Sequence, residues 1–155
     1  MASVKCPTCG VRLLHKGLSH ACGPHTVAAF LAGRTPRGRA LFRRFDALVR
    51  RLRGVSRAPA KTRVAYVADV RFASVNAVRG DAIDVHLVLP RRLASPRFRR
   101  VEAIGKLFVH HLRLTADADF DAELAGWVRG AHREYGCRGR PSGAGDTRAR
   151  GGLRR

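Results

Sequence analysis

The chain has 155 residues, 45% of them hydrophobic, and a formal net charge of +20 from 31 Lys and Arg against 11 Asp and Glu. That size and apolar content allow one modest domain with a real core and a small appendage, and they exclude a wholly disordered chain. No apolar run approaches the ~18–20 residues that a spanning helix needs, and no secretory apolar region follows Met1, so the expected location is the cytoplasm.

Residues 1–25 read as a zinc-knuckle-like module. Cys6-Pro-Thr-Cys9-Gly10 is followed by Ser19-His20-Ala21-Cys22. A Cys-x-x-Cys turn brings two thiolates onto one ion, and Gly10 permits the backbone turn that follows. With His20 and Cys22 the set is Cys₃His, a closed structural set for Zn²⁺. His15 and His25 are competing ligands, because Cys22-x-x-His25 is also a workable spacing. A redox pair is the rival reading of Cys6 and Cys9, but it lacks a βαβ setting and leaves His20 and Cys22 without a role.

Residues 26–135 read as an α+β core. Thr26 caps a short helix, Val27 to Ala32, that stops at Gly33. Pro36 opens a longer helix running to Arg53. Its apolar stripe is Leu41, Phe42, Phe45, Leu48, Val49 and Leu52. Its other face carries Arg39, Arg43, Arg44, Arg50, Arg51 and Arg53, with Asp46 the only acid. A run of charge is ordinarily just a solvated face. Between Arg34 and Arg63, however, eleven bases stand against one acid, which makes this face the candidate for binding nucleic acid or another polyanion.

Gly54 to Pro59 reads as a linker, and Arg63 to Val67 as a strand. The next stretch, Arg71 to Pro90, is a hairpin turning at Gly80-Asp81. In its second arm Ile83, Val85, Leu87 and Leu89 share one face while Asp84 and His86 share the other, the period of a strand with one buried side. Two further strands, Arg97 to Ile104 and Lys106 to Leu114, break at Gly105. The expected sheet therefore has about five antiparallel strands, flanked by N- and C-terminal helices. The last strand holds His110-His111, and such a pair ordinarily has one ring facing the interior and one facing solvent.

The final helix begins near Asp117 or Asp119 and buries Phe120, Leu124, Trp127, Val128, Ala131 and Tyr135. Asp119, Asp121 and Glu123 suit a first helical turn, where acids complement the macrodipole. Residues 136–155 form a Gly/Arg-rich tail expected to be disordered. The tail does not create the charge: it holds six Arg and one Asp, which leaves about +15 on the rest.

The Cys-Pro-x-Cys-Gly start, Ser19-His20-Ala21-Cys22 and the short helix resemble the N-terminal module of a group of small bacterial proteins. In those proteins the module precedes the domain of unknown function 5655 family. Lys61, Val64, Tyr66, Arg71-Phe72-Ala73, Leu87-Val88-Leu89-Pro90, Gly105, His110 and Asp119-Phe120-Asp121-Ala122-Glu123-Leu124 with Trp127-Val128 extend the similarity over about residues 4–135. The pattern departs at Ala131-His132, with Tyr135 displaced by a turn. The resemblance implies a helix–antiparallel sheet–helix domain and names no activity. Related domains occur near restriction systems or in proteins catalogued for transport, which makes a nucleic-acid setting an expectation.

Together these features describe a bacterial, cytoplasmic, non-enzymatic protein, stapled by structural Zn²⁺, that binds nucleic acid or another polyanion. The alternatives are a metal-dependent, nuclease-like enzyme and a protein-interaction adaptor. Asp81, Asp84 and Glu102 are the carboxylates such a nuclease would have to converge, but no carboxylate-x-Lys signature accompanies them.

Overall fold

The computed structural model describes residues 4–6, the backbone of residues 12–13, and residues 25–137. In chain order the elements are β1 (Val4–Lys5), β2 (Arg12–Leu13), α1 (Val27–Leu31), α2 (Pro36–Arg50), β3 (Ser56–Pro59), β4 (Val64–Val67), β5 (Arg71–Arg79), β6 (Ala82–Leu89), β7 (Phe98–Ile104), β8 (Leu107–Leu114) and α3 (Ala122–Ala131). The fold is α+β: six antiparallel strands in the order β3-β4-β5-β6-β8-β7, with β1 and β2 paired separately.

The hairpin forms where the turn residues demand it. Gly80 takes φ 56°, a left-handed conformation that costs glycine little. Val75 pairs with Val85 and Ala73 with Leu87, which sends Ile83, Val85, Leu87 and Leu89 to one face, all at 0% exposure. Leu41, Phe42, Phe45 and Val49 of α2, and Leu124, Val128 and Ala131 of α3, cover that face. Phe98, Trp127, Phe120 and Tyr135 pack around them, half-buried.

The sheet has six strands rather than about five, because Ser56–Pro59 is a strand and not a linker. It pairs Arg57 with Tyr66 and Pro59 with Val64. Four residues that include a proline leave little period to see, and the edge of the sheet is where proline, lacking an N–H, is tolerated. α2 ends at Arg50, short of Arg53: the N–H of Arg51 bonds to Ala47 O at 3.3 Å and that of Leu52 to Val49 O at 3.1 Å, a tightened last turn. Around Asp117 and Asp119 the chain makes a 3₁₀ turn, and α3 starts only after its cap, Asp121. Past Ala131 it widens into a π turn, His132–Gly136.

Three bulges disturb the ladder, each with one extra residue: Phe72 and Asn76 in β5, and Arg99 in β7. The first keeps Phe72 fully buried beside Gly136, where an added Cβ would lie 2.7 Å from Phe72 Cδ1.

On the sheet's other face, Cys6 packs with Ala58, Ala65 and Val67, and all four are buried. The other expected zinc ligands, Cys9, His20 and Cys22, and the competitor His15, lie outside the described residues, as does the tail beyond Cys137. Among the described residues, no helix is long and apolar enough to cross a membrane.

Candidate anion-binding surfaces

The expected arginine strip is on the outer side of α2. Arg43, Arg44, Arg50, Arg51 and Arg53 are exposed and Arg39 is half-buried. Arg39, Arg43 and Arg50 lie on the helix, about 16 Å from first to last at ~1.5 Å per residue. Arg51 is its C-cap, and Arg53 lies past its end. Arg44 is tied down: its Nη1 is 2.9 Å from Asp117 Oδ1, and its guanidinium lies 5.0 Å over the Phe120 ring. Arg37 pairs with the other Asp117 oxygen at 3.3 Å. Hydrogen bonds from Arg44 and Arg37 hold the Asp117 carboxyl below the usual carboxylate range. Among the described residues, Arg39, Arg43, Arg51 and Arg53 have no ion-pair partner.

Asp46 is not part of the basic face. It turns inward, where its Oδ1 accepts from the Tyr66 hydroxyl at 2.9 Å. Its Oδ2 lies 3.4 Å from Arg57 Nη1 and 3.7 Å from Arg50 Nη1. Burial, followed by the neighbouring Asp46 charge, pushes the Tyr66 phenol well above its ordinary range, so it stays a donor.

The sheet's second face carries a cluster that single-strand reasoning only half sees. The period of β6 puts Asp84 and His86 together, and the register then sets His111 opposite His86 and Arg113 opposite Asp84. The two imidazoles sit with centroids 3.9 Å apart, tilted by 53°. Burial, and next the His111 ring, bring His86 down to about 4, so it is uncharged at neutral pH. Arg113 donates from Nε to Asp84 Oδ1 at 2.8 Å and from Nη2 to Oδ2 at 3.3 Å. Arg79 Nε donates to the same Oδ2 at 2.9 Å. Burial alone would raise the Asp84 carboxyl, but hydrogen bonds from Arg113 and Arg79 overcome it and hold it below the usual range. Glu102 accepts from Arg100 at 3.2 Å and places its other oxygen 3.4 Å from His111 Nε2. Beside these residues lies a cleft of about 400 Å³, reached also by Asn76 and Arg99.

His110 and His111 separate as their pattern suggests. His110 faces the helices at 0% exposure. Its Nε2 accepts the Leu93 N–H at 3.0 Å, and Nδ1 donates to Leu87 O at 3.3 Å. Burial holds it below the ordinary imidazole value, which fits that neutral tautomer.

The acids before α3 serve the helix start. Asp119 Oδ2 accepts from the Thr115 and Ala116 N–H groups at 2.8 and 3.0 Å, and Asp121 Oδ1 from Leu124 N–H at 2.9 Å. Arg97 bridges Asp121 at 3.0 Å and Glu123 at 3.1 Å. Of the carboxylates weighed for catalysis, Asp81 lies 2.8 Å from the Thr35 hydroxyl, while Asp84 and Glu102 face arginines. Among the described residues, no three His, Cys, Asp or Glu side chains group as a metal would require.

No curated protein and no solved structure matches the chain. The stretch from α1 to the π turn, residues 27–134, matches a family known by its sequence pattern. That stretch includes both the arginine strip and the cleft, and on this match the chain belongs to the family described as domain of unknown function (DUF5655).

Proposed function

We propose that the protein binds nucleic acid or another polyanion through the arginine face of α2, without catalysing a reaction on it. The observation that carries this reading is the imbalance on that face: Asp117 and Asp46 occupy Arg37, Arg44 and Arg50, and leave Arg39, Arg43, Arg51 and Arg53 without acidic partners among the described residues. Arg43 and Arg51 are exposed, so a phosphate reaches them at no cost in buried contacts. Each phosphate contact releases condensed counterions, which yields affinity that tolerates sequence and falls steeply with salt.

The reading includes a structural Zn²⁺ in residues 1–25. Three thiolates and an imidazole, from Cys6, Cys9, Cys22 and His20, are a donor set suited to zinc. The pairing of Val4 with Leu13 and Lys5 with Arg12 supports it, because it anchors the strand that leads into Cys6. Cys6, packed against Ala58, Ala65 and Val67, would join that module to the sheet.

The test is a titration of duplex DNA and single-stranded RNA at several salt concentrations. Binding should weaken with a log–log slope of about −0.9 per phosphate contact on duplex. Arg43→Gln with Arg51→Gln should weaken all sequences alike and flatten the slope by up to about two units. No binding by the wild type near ~0.1 M salt rejects the reading. Loss only on replacing Arg138, Arg140, Arg148, Arg150, Arg154 and Arg155 would move the function to the tail.

A further inference from the structure

We propose that the cleft on the sheet's second face is a separate binding site for a phosphate monoester. It lies across the sheet from α2, so it shares no residue with the arginine strip. At about 400 Å³ it falls within the range of small-molecule pockets, ~300–1,000 Å³.

Its charge matches a dianion. Arg79, Arg99, Arg100 and Arg113 line it, and Asp84 and Glu102 are the acids paired to that group, so these side chains leave two positive charges over. Three of the guanidinium groups are also held in place. Asp84 engages Nε and Nη2 of Arg113 and only Nε of Arg79. That leaves both terminal nitrogens of Arg79 and Nη1 of Arg113 as donors. Arg100 spends Nη2 on Glu102 and keeps Nη1. Arginine forks fixed by a carboxylate fit the oxygens of a phosphate group, and less entropy is lost when they bind.

Both sheet irregularities at its rim are one-residue bulges, at Asn76 in β5 and at Arg99 in β7, and both extra residues line it. Bulges re-aim side chains and gather beside binding sites. The Ser74 hydroxyl donates to Asn76 Oδ1, which leaves the Asn76 amide as a further donor. At the floor, His111 Nε2 is buried and makes no hydrogen bond among the described residues, since Glu102 is near it without hydrogen-bond geometry. Buried polar atoms in native proteins are ordinarily satisfied, so an unpartnered one in a cleft fits a site completed by its ligand. Donors from β5, β7 and β8 converge on one concavity. The three oxygens of a phosphate group use such an arrangement more fully than the two of a carboxylate.

The experiment is an NMR titration of the full ¹⁵N-labelled chain with inorganic phosphate, adenosine monophosphate and ribose 5-phosphate, each against sodium chloride at matched ionic strength. Saturable shifts at His86, His111 and Asn76 are expected, with tenfold or weaker binding in Arg99→Gln/Arg100→Gln and no change in Arg43→Gln/Arg51→Gln. Both cleft substitutions are on an exposed edge strand, so the fold persists, and the unchanged remainder of the spectrum checks it. Equal affinity for all three probes means that the phosphate group alone is read. Tighter binding of one ester means that the cleft also reads what the phosphate carries. The proposal is overturned if none of the probes saturates by about 10 mM, if sodium chloride reproduces the shifts, or if the α2 variant weakens binding as much as the cleft variant.

Discussion

Tyr66 on β4 donates its hydroxyl to Asp46 on α2 at 2.9 Å, with Tyr66 at 0% and Asp46 at 9% exposure. The bond fastens the long helix to the sheet at a point where a carboxylate would otherwise be buried against apolar side chains. Arg57, reaching over from β3 at 3.4 Å, supplies the opposite charge.

Removing either partner alone strands the other, so the two losses should not add. Tyr66→Phe leaves a buried carboxylate oxygen without its donor, for a loss of about 1–3 kcal/mol. Asp46→Leu strands the phenol by a similar amount. The double variant should lose less than the sum, and urea denaturation of the four proteins measures the coupling. Simple additivity would show that the bond does not hold α2 in solution.

Gly38→Ala should destabilise, although alanine is the better helix former by ~1 kcal/mol. An added Cβ would stand 2.5 Å from the Gly80 carbonyl oxygen and 2.7 Å from Val78 Cγ1. The carbonyl is backbone at the hairpin turn, and Thr35 bonds to it at 2.8 Å, so it cannot step aside freely. A net loss of about 1–3 kcal/mol is expected by thermal or urea unfolding. A gain would mean that α2 slides on the hairpin.

Acid should weaken the fold through His86 before it reaches the carboxylates. The ring titrates near 6.5 in the unfolded chain and at about 4 in the folded one. Between those values the unfolded chain binds the extra proton, so stability is full above ~6.5 and falls as pH drops toward 4, by roughly 2–3 kcal/mol. His86→Asn should flatten that part of the urea-midpoint profile. Asp84, whose carboxyl is held below 3.8, adds its loss only at still lower pH. A wild-type profile that is flat from pH 7 to 4.5 would remove the buried-imidazole account.

The zinc expectation is checked by native mass spectrometry before and after chelation. One Zn²⁺ per chain should be found, and Cys9→Ser should release it. Loss of metal should open residues 4–25 to protease while the region from α1 to the π turn resists. Protein that is free of metal as purified, with residues 4–25 still protected, would end that reading.

Much of the core was legible because it depends on local pattern. The alternation Ile83, Val85, Leu87, Leu89 set the phase of β6, and Leu41, Phe42, Phe45 and Val49 set the buried side of α2. Thr26 declared itself as a cap, and Gly80 and Gly105 as turns, since each answers a need of the backbone within a few residues. β3 escaped notice because a four-residue edge strand carrying Arg57 and Pro59 has neither the length nor the composition of a strand. It forms because Val64 to Val67 offers it a partner.

By itself, the sequence determined the hairpin, the amphipathic α2 with its arginine face, the helix–sheet–helix order and the excess of positive charge. The first three follow from spacing along the chain, and the last from composition. Only the tertiary structure decided that Asp46 turns inward to Tyr66, that β8 and not β7 lies beside β6, and that His86 meets His111 while Asp84 meets Arg113. The histidine and arginine pairings depend on the register between β6 and β8. Register joins residues far apart in the chain through the burial of a shared face, and no local period encodes which distant side chains that burial will bring together.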